Sequence, residues 1–280
     1  MKLILLLLAF LDLYGANITK DTTRTNGVYL TGVTGVNASQ VSFTNWSQGG
    51  ENSITWSVFG DFGVKYVKDS LLLFNHLNIV YGKTKTGDAI FKTNSNEIFF
   101  ETILLYRMGW QVDPYFSNTV RTVITKGYDY SKTTPIQISD FFDPGYVTQS
   151  IGFSYNKVTG FTSRLGIALQ EVFTNKYRSY SDKEDTKTKV EAFKFETGME
   201  SVTEAKFDIM ENITYSSRLR LFTRFEHIDV WDVRWDNTLR AKINSIFNVN
   251  LTTLLVYEKS QSVKTQFREA LQLGVSFNIF

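Results

Sequence analysis

Charged side chains of both signs occupy alternate positions in three successive segments, an arrangement that can pair charges or attract a charged solute. The first segment carries Glu196 and Glu200, and the next two are mainly basic; their charged residues are Arg218, Arg220 and Arg224, then Arg234, Asp236, Arg240 and Lys242. With a turn centred near Met210, antiparallel pairing sets Glu200 opposite Arg220 and Glu196 opposite Arg224, about 5 Å apart at Cβ. The pattern therefore predicts an acidic strand beside two basic ones.

Apolar residues fill the positions between these charges, so each segment has one apolar and one ionic face. They are Ile213, Tyr215, Leu219, Leu221 and Phe225, then Val233, Trp235, Leu239, Ala241 and Ile243. Because the side chains of a strand alternate between its two faces, this period of two predicts β-strands. A soluble barrel turns its apolar face inward, whereas a membrane barrel turns it toward lipid.

If the apolar face meets lipid, the charges line the lumen, and two interpretations compete. In the first, paired charges fill a narrow interior and satisfy each other. In the second, surplus cations attract an anionic solute, and Arg234, Arg240 and Lys242 line its pathway. The number of available partners favours the first interpretation at these positions.

Residues that could catalyse a reaction are few. His76 and Asn78 share the predicted lumenal face of one strand, whereas a lipid-cleaving site must open to the membrane, and no Gly-x-Ser-x-Gly elbow accompanies them. With two histidines and no cysteine, a transition-metal site is not expected, nor a disulfide framework. The sequence therefore predicts no enzymatic activity, no metal site and no cofactor.

The first residues indicate export from the cytoplasm. One lysine precedes an apolar run from Leu3 to Phe10, and the small residues Gly15 and Ala16 follow. This pattern predicts a cleaved signal peptide over 1–16, because a spanning helix needs about 20 apolar residues. A linker over 17–27 and one barrel domain over 28–280 complete the expected organisation.

Period-two patterning recurs in about twelve segments, whose connections alternate between short turns and long polar loops. The segments are 28–44, 51–68, 71–83, 95–109, 114–129, 145–157, 161–174, 191–207, 211–228, 232–247, 249–259 and 265–280. The predicted fold is all-β: a transmembrane antiparallel up-and-down β-barrel with long outer loops and short periplasmic turns, located in the cell outer membrane. The segment 28–44 alternates poorly, so it is either the first strand or a segment folded into the lumen.

Composition narrows the partners. A net charge of +2 gives no indication of nucleic-acid binding. Aromatic residues near strand ends suit the interfacial girdles of a barrel. We expect contact with outer-membrane lipid and lipopolysaccharide, with the barrel assembly machinery and periplasmic chaperones during biogenesis, and with a small solute.

Three sequence segments resemble a family of outer-membrane β-barrel proteins of didermal bacteria that is grouped as a domain of unknown function. The segments are SQVSFTNWSQGGENS at 39–53, QISDFFDPGY at 137–146 and SRLRLF at 217–222. The most specific signature is Asn45-Trp46-x-x-Gly49-Gly50, which we expect to form a tight outer hairpin. The resemblance covers most of the chain after about residue 30, and it implies a fold and a location but supplies no activity.

Two other segments carry further expectations. Phe277 and Phe280 are candidates for the C-terminal assembly signal, although Phe280 is one residue out of phase with the apolar face of the last strand. The apolar loop 140–145 is expected either to fold inward as a constriction or to pack on the barrel rim. The acidic cluster Asp182, Glu184 and Asp185 is interpreted as part of a solvated loop rather than a calcium site.

Together these features favour a passive channel for small, anionic solutes. The alternative is a closed-lumen barrel with a structural or surface-interaction role.

Overall fold

The computed structural model describes residues 26–44, 50–131, 133–182, 190–259 and 264–280. The elements in these ranges are β1 (Gly27–Val41), β2 (Ser53–Lys68), β3 (Leu71–Thr86), β4 (Lys92–Tyr106), β5 (Asp113–Thr122), β6 (Gly127–Asp129), β7 (Ile136–Ser139), β8 (Gly145–Val158), β9 (Phe161–Phe173), a 3₁₀ turn (Arg178–Tyr180), β10 (Phe193–Met210), β11 (Ile213–Arg224), β12 (His227–Lys242), β13 (Phe247–Tyr257) and β14 (Gln266–Asn278). Among the described residues, none lies in a helix long and apolar enough to cross a membrane.

Twelve of these strands close into an antiparallel barrel, which confirms the predicted fold class and strand number. Strands that follow each other in the barrel pair directly, and β1 pairs with β14 from Val33 opposite Asn278 to Ala38 opposite Leu273. The segment 28–44 therefore supplies a wall strand and not a lumen insert. β6 and β7 form a separate hairpin within the connection 123–144.

The barrel turns its apolar face outward. In β9, Leu165 and Ile167 are 54% and 56% exposed, whereas Arg164 and Ala168 are 2% and 0% exposed. Alternation along a strand places these two pairs on opposite faces, so the arginine points into the barrel and the aliphatic residues point out. An apolar exterior around a polar interior is the arrangement of membrane barrels.

Connections of different length lie at the two ends of the barrel, as predicted. One end carries the short connections 69–70, 107–112, 159–160, 211–212 and 243–246, and the other carries 42–52, 87–91, 123–144, 174–192 and 258–265. Two connections at the long-loop end are exceptions, because 225–226 has two residues and 87–91 has five, one fewer than 107–112 at the other end. Both the first and the last strand begin or end at the short-turn end.

The predicted fifth strand, 114–129, was too long. It ends at Thr122, because side chains replace the strand ladder beyond that residue. The Asn96 side-chain oxygen accepts hydrogen bonds from the N–H groups of Ile124 and Thr125 at 2.9 and 3.1 Å. Thr122 Oγ1 meanwhile accepts the N–H of Phe142 at 2.9 Å, which joins the end of β5 to the returning loop.

The predicted bounds 232–247 and 249–259 were also wrong, because the turn occupies 243–246 rather than Asn248. The Asn244 side-chain oxygen accepts the N–H groups of Ile246 and Phe247 at 2.8 and 2.7 Å and fixes this turn. Ile243 and Phe247 both remain on the outer surface. The apolar period therefore continues through the turn and conceals it in the sequence.

Phe280 lies on the outer face despite its phase in the sequence. β14 ends at Asn278, and the N–H of Ile279 donates to the carbonyl of Gly32 at 2.7 Å. The Phe280 ring then covers Gly32 beside the ring of Phe62, since a Cβ on Gly32 would lie 2.8 Å from one ring and 3.3 Å from the other. The absence of a side chain at Gly32 thus makes room for the terminal ring.

Substitution Ile167→Arg tests which solvent the barrel exterior meets. If Ile167 faces hydrocarbon, we expect a loss of about 2–4 kcal/mol in the free energy of unfolding, measured by urea titration in phospholipid vesicles. Ile90→Arg is the matched control, because Ile90 is also more than half exposed but lies in a loop. Equal and small effects at the two positions would mean that the barrel surface faces water.

Candidate functional site: an ion-pair network across the lumen

Carboxylates and guanidinium groups from opposite walls meet inside the barrel. They come from β4, β9, β10, β11 and β12, whose alternate residues point inward. The charged faces predicted for Glu196, Glu200, Arg218, Arg220, Arg224, Arg234 and Asp236 all contribute side chains to this network. Two further acids of β4, Glu97 and Glu101, connect them across the barrel.

Glu101 is the centre of the network and is 3% exposed. Its Oε1 lies 2.9 Å from Nη2 of Arg164 and 2.9 Å from Nη2 of Arg218. Arg218 also pairs with Glu204, the fourth member of this cluster. Since β4 and β11 are five neighbouring-strand steps apart in one direction and seven in the other, the Glu101–Arg218 pair spans the lumen.

Glu97 and Arg234 form a second bridge nearer the long-loop end. Nη2 of Arg234 lies 3.2 and 3.0 Å from the two carboxylate oxygens of Glu97. Nε of Arg234 donates to Asp236 at 2.9 Å. β4 and β12 are six steps apart in both directions, so these partners stand on diametrically opposite walls. The two bridges cross the lumen with side chains of the wall itself.

The predicted pairs of β10 and β11 form, but the predicted register was wrong by two residues. Glu200 lies opposite Phe222, and Arg220 lies opposite Val202. The ion pairs are therefore diagonal. Arg220 Nε donates to Glu200 at 2.7 Å, and the corresponding Arg224–Glu196 contact is 2.5 Å. The turn is centred one residue later than Met210, and a shift of two residues keeps every side chain on its face.

Aromatic rings separate the guanidinium groups within the lumen. Arg121 and Arg218 lie over the ring of Phe99, at 5.0 and 4.9 Å from its centroid. Arg220 and Arg224 likewise lie over Phe222, which is fully buried. Cation–π contact of this kind stabilises cations that would otherwise repel one another.

A cavity of about 300 Å³ lies above the network at the long-loop end. Its lining includes Arg218 and both partners of the Glu97–Arg234 bridge. Other charged and aromatic residues of the lining are Phe99, Arg121, Tyr146, Tyr180, Arg220 and Tyr257. Because the strands that supply these residues reach their long-loop ends here, we call this space the outer cavity.

Two long loops are joined beside the outer cavity. The buried carboxylate of Asp143 accepts hydrogen bonds from the backbone N–H groups of Asn175 and Lys176 at 2.9 and 2.8 Å. This holds residues 174–182 so that Tyr180 lines the cavity. Burial and the carboxylates of Asp143 and Glu258 raise the pKa of the Tyr180 hydroxyl, which therefore stays protonated and able to donate a hydrogen bond.

The loop 140–145 packs on the barrel rim and does not form a constriction. The Phe142 ring is 6.2 Å from that of Phe173, which in turn is 5.1 Å from that of Phe193. Phe193 is an exposed residue of the outer face. Phe141 and Phe142 therefore extend the external surface, whereas Pro144 is buried and lines the outer cavity.

The remaining predicted positions lie apart from the network. Arg240 Nε donates to Asn250 at 2.9 Å, and Lys242 is exposed at the short-turn end. Phe277 is on the outer face. Gly50 has a φ of +135°. Asn45, Trp46 and Gly49 lie outside the described residues, as do the signal-peptide segment 1–16, Glu184 and Asp185.

Sequence reasoning missed Glu97, Glu101, Arg121 and Arg164. Phe99, which lies between the two acids on the same lumenal face, obscured the polar alternation of β4. Arg164 had a clearer signal, because Thr162, Gly166 and Gln170 share its face while leucines and isoleucine occupy the other. No local pattern in the sequence indicates that β4 and β9 contact the charged residues of β11 and β12.

His76 and Asn78 point into the lumen, as predicted. His76 Nε2 lies 3.0 Å from Oδ2 of Asp61, and Asn78 donates to the same oxygen at 3.0 Å. Both contacts join the neighbouring wall strands β2 and β3. Within the described ranges, no group of three or more His, Cys, Asp or Glu side chains is placed to hold a metal ion.

A closed antiparallel barrel with an apolar exterior and an ionic interior belongs to the class of transmembrane β-barrels. Residues 38–128 match the model of a family described as "Protein of unknown function (DUF3078)". This confirms the family resemblance over a stretch that contains the Asn45–Gly50 signature; the segments 137–146 and 217–222 lie outside it. No curated protein matches the chain.

Several solved barrels are similar to this chain at low sequence identity and low TM-score. The translocator domain of autotransporter NalP from Neisseria meningitidis is 10% identical, with 92% of this chain and 90% of that chain covered and a TM-score of 0.38. An outer membrane channel from Pseudomonas putida F1 is 10% identical, with coverages of 95% and 98% and a TM-score of 0.39. The CymD monoaromatic hydrocarbon channel is 9% identical, with coverages of 91% and 88% and a TM-score of 0.35.

Substitution Glu101→Gln tests the centre of the network. It removes the buried carboxylate that Arg164 and Arg218 share and leaves them only the more exposed Glu204, so we expect a loss of about 3–5 kcal/mol in the free energy of unfolding in vesicles. The control Glu204→Gln removes a carboxylate whose side chain is 37% exposed, so its effect should be clearly smaller. Equal losses would contradict the central role of Glu101.

Proposed function

We propose that this protein is an outer-membrane barrel whose lumen is closed in its resting state and whose outer cavity faces the exterior. The observation that carries the proposal is the pair of bridges, Glu97–Arg234 and Glu101–Arg218, between opposite walls. Free diffusion through the lumen would require these contacts to separate. Since an unpaired buried charge is costly, the paired arrangement is the stable one.

The apolar exterior and the alternation of short turns with long loops support the membrane location. In the proposed orientation, the long loops face the outside of the cell and the short turns face the periplasm. The N-terminal segment 1–16 then acts as the export signal. Outer-membrane lipid and lipopolysaccharide are the proposed surroundings, and the barrel assembly machinery and periplasmic chaperones the proposed partners in biogenesis. The proposal includes no enzymatic activity.

A passive channel for small anionic solutes is the second candidate. It is favoured by one observation: the two bridges consist of side chains of the wall, which can move without unfolding a segment. The three cations that the sequence predicts for the solute pathway are less free to attract an anion than expected. Arg234 is bound by Glu97 and Asp236, Arg240 contacts Asn250, and only Lys242 is exposed.

Single-channel recording in planar bilayers distinguishes the two candidates. We expect no steady conductance from the refolded, heat-modifiable wild-type barrel, because the bridges occupy the lumen. The double variant Arg218→Ala with Arg234→Ala removes one partner from each bridge and should conduct. Lys126→Ala, in an exposed loop, is the control and should remain closed.

Steady wild-type conductance would overturn the closed-lumen proposal. If that conductance prefers anions, the channel candidate predicts that changing Arg234, Arg240 and Lys242 together to Glu reverses the preference. Each variant is first checked for the shift in gel mobility on heating that a folded barrel shows, so that silence is not confused with unfolding.

A further inference from the structure

Arg121 differs from the other arginines that line the outer cavity. Arg218, Arg220 and Arg234 each pair with a carboxylate. The Arg121 guanidinium makes no hydrogen bond or ion pair with any described residue, although it lines the cavity and lies 5.0 Å from the centroid of the Phe99 ring. A guanidinium stacked on a ring still presents its N–H edge to an acceptor in its own plane.

The carboxylates around the outer cavity do not satisfy Arg121. Glu97 is bound to Arg234, and Glu200 is bound to Arg220. Asp232, which also lines the cavity, lies 2.8 Å from Nη2 of Arg224. Each of these acids therefore has an arginine of its own, and Glu258 is a further carboxylate of the lining. Glu97 and Asp236 attract Arg121 through space, but in the described part of the chain no acceptor is hydrogen-bonded to its guanidinium.

The rest of the lining indicates the kind of anion that would fit. The rings of Phe99, Tyr146, Tyr180 and Tyr257 surround the space, together with the aliphatic residues Val233 and Val256. A volume of about 300 Å³ is at the lower end of the range for small-molecule sites, which combine apolar walls with a few polar groups. A planar carboxylate matches the paired N–H groups of a guanidinium better than a spherical anion does.

We propose that the outer cavity binds a small monocarboxylate with an aromatic or apolar body, and that the Arg121 guanidinium holds its carboxylate. The body of the ligand lies among the aromatic rings, and the Tyr180 loop, fixed by Asp143, forms part of the wall. This inference rests on the proposed closed barrel, because the ion-pair bridges form the floor of the cavity.

The test is isothermal titration of benzoate into the full mature protein, refolded in detergent micelles. Benzamide, which has the same ring but no charge, is titrated in parallel, as are acetate and inorganic phosphate. We expect benzoate to bind more tightly than the other three. Arg121→Gln should weaken benzoate binding about tenfold or more, because it removes a charge-assisted hydrogen-bonding partner.

Arg240→Gln is the matched control, because it removes a lumenal arginine that does not line the outer cavity. It should leave benzoate affinity unchanged. Equal binding of benzoate and benzamide, or unchanged affinity in a folded Arg121→Gln variant, would overturn the assignment, as would phosphate binding as tightly as benzoate. Arg121→Lys, which keeps the charge but loses the planar fork, should retain part of the affinity if the site is as proposed.

The outcomes also separate this inference from the proposed function. If the barrel does not conduct and does not bind benzoate, the closed lumen is supported and the ligand site is refuted. If the barrel conducts and binds benzoate through Arg121, the closed lumen is refuted and the ligand site is supported.

Discussion

The structure depends on the pairing of charged side chains inside the barrel. Twelve strands place these charges where water does not solvate all of them. The Glu101 carboxylate accepts hydrogen bonds from two arginines of other strands, Arg164 and Arg218. Burying charges is costly unless they are paired and hydrogen-bonded, so each of these groups constrains the position of the others. Because the partners belong to separated strands, satisfying the charges also fixes the cross-section of the barrel.

The fold could be predicted from the sequence to a large extent, because the two-residue period assigns each side chain to a face. That assignment survives errors in register: Glu200 and Arg220 form an ion pair although their positions along the strands were misjudged by two residues. The positions of the turns were harder to predict from the sequence. The Asn244 turn is fixed by one side-chain oxygen, and the apolar period passes through it unchanged.

The centre of the candidate site could not be predicted in the same way. Glu97 and Arg234 are distant in sequence and meet because their strands stand opposite each other in a closed circle. That contact depends on strand number, tilt and side-chain reach, none of which is a local property of the sequence. The charge surplus inferred from β11 and β12 was consequently too large, since acids of β4 supply the missing partners.

The most direct measurement of the central claim is a double-mutant cycle between Glu97→Gln and Arg234→Gln, read as free energies of unfolding in vesicles. If the two side chains bridge the lumen, their effects should be non-additive by about 0.5–3 kcal/mol. Positions on opposite walls of an open barrel have no contact to lose. Additive effects would therefore contradict the closed lumen.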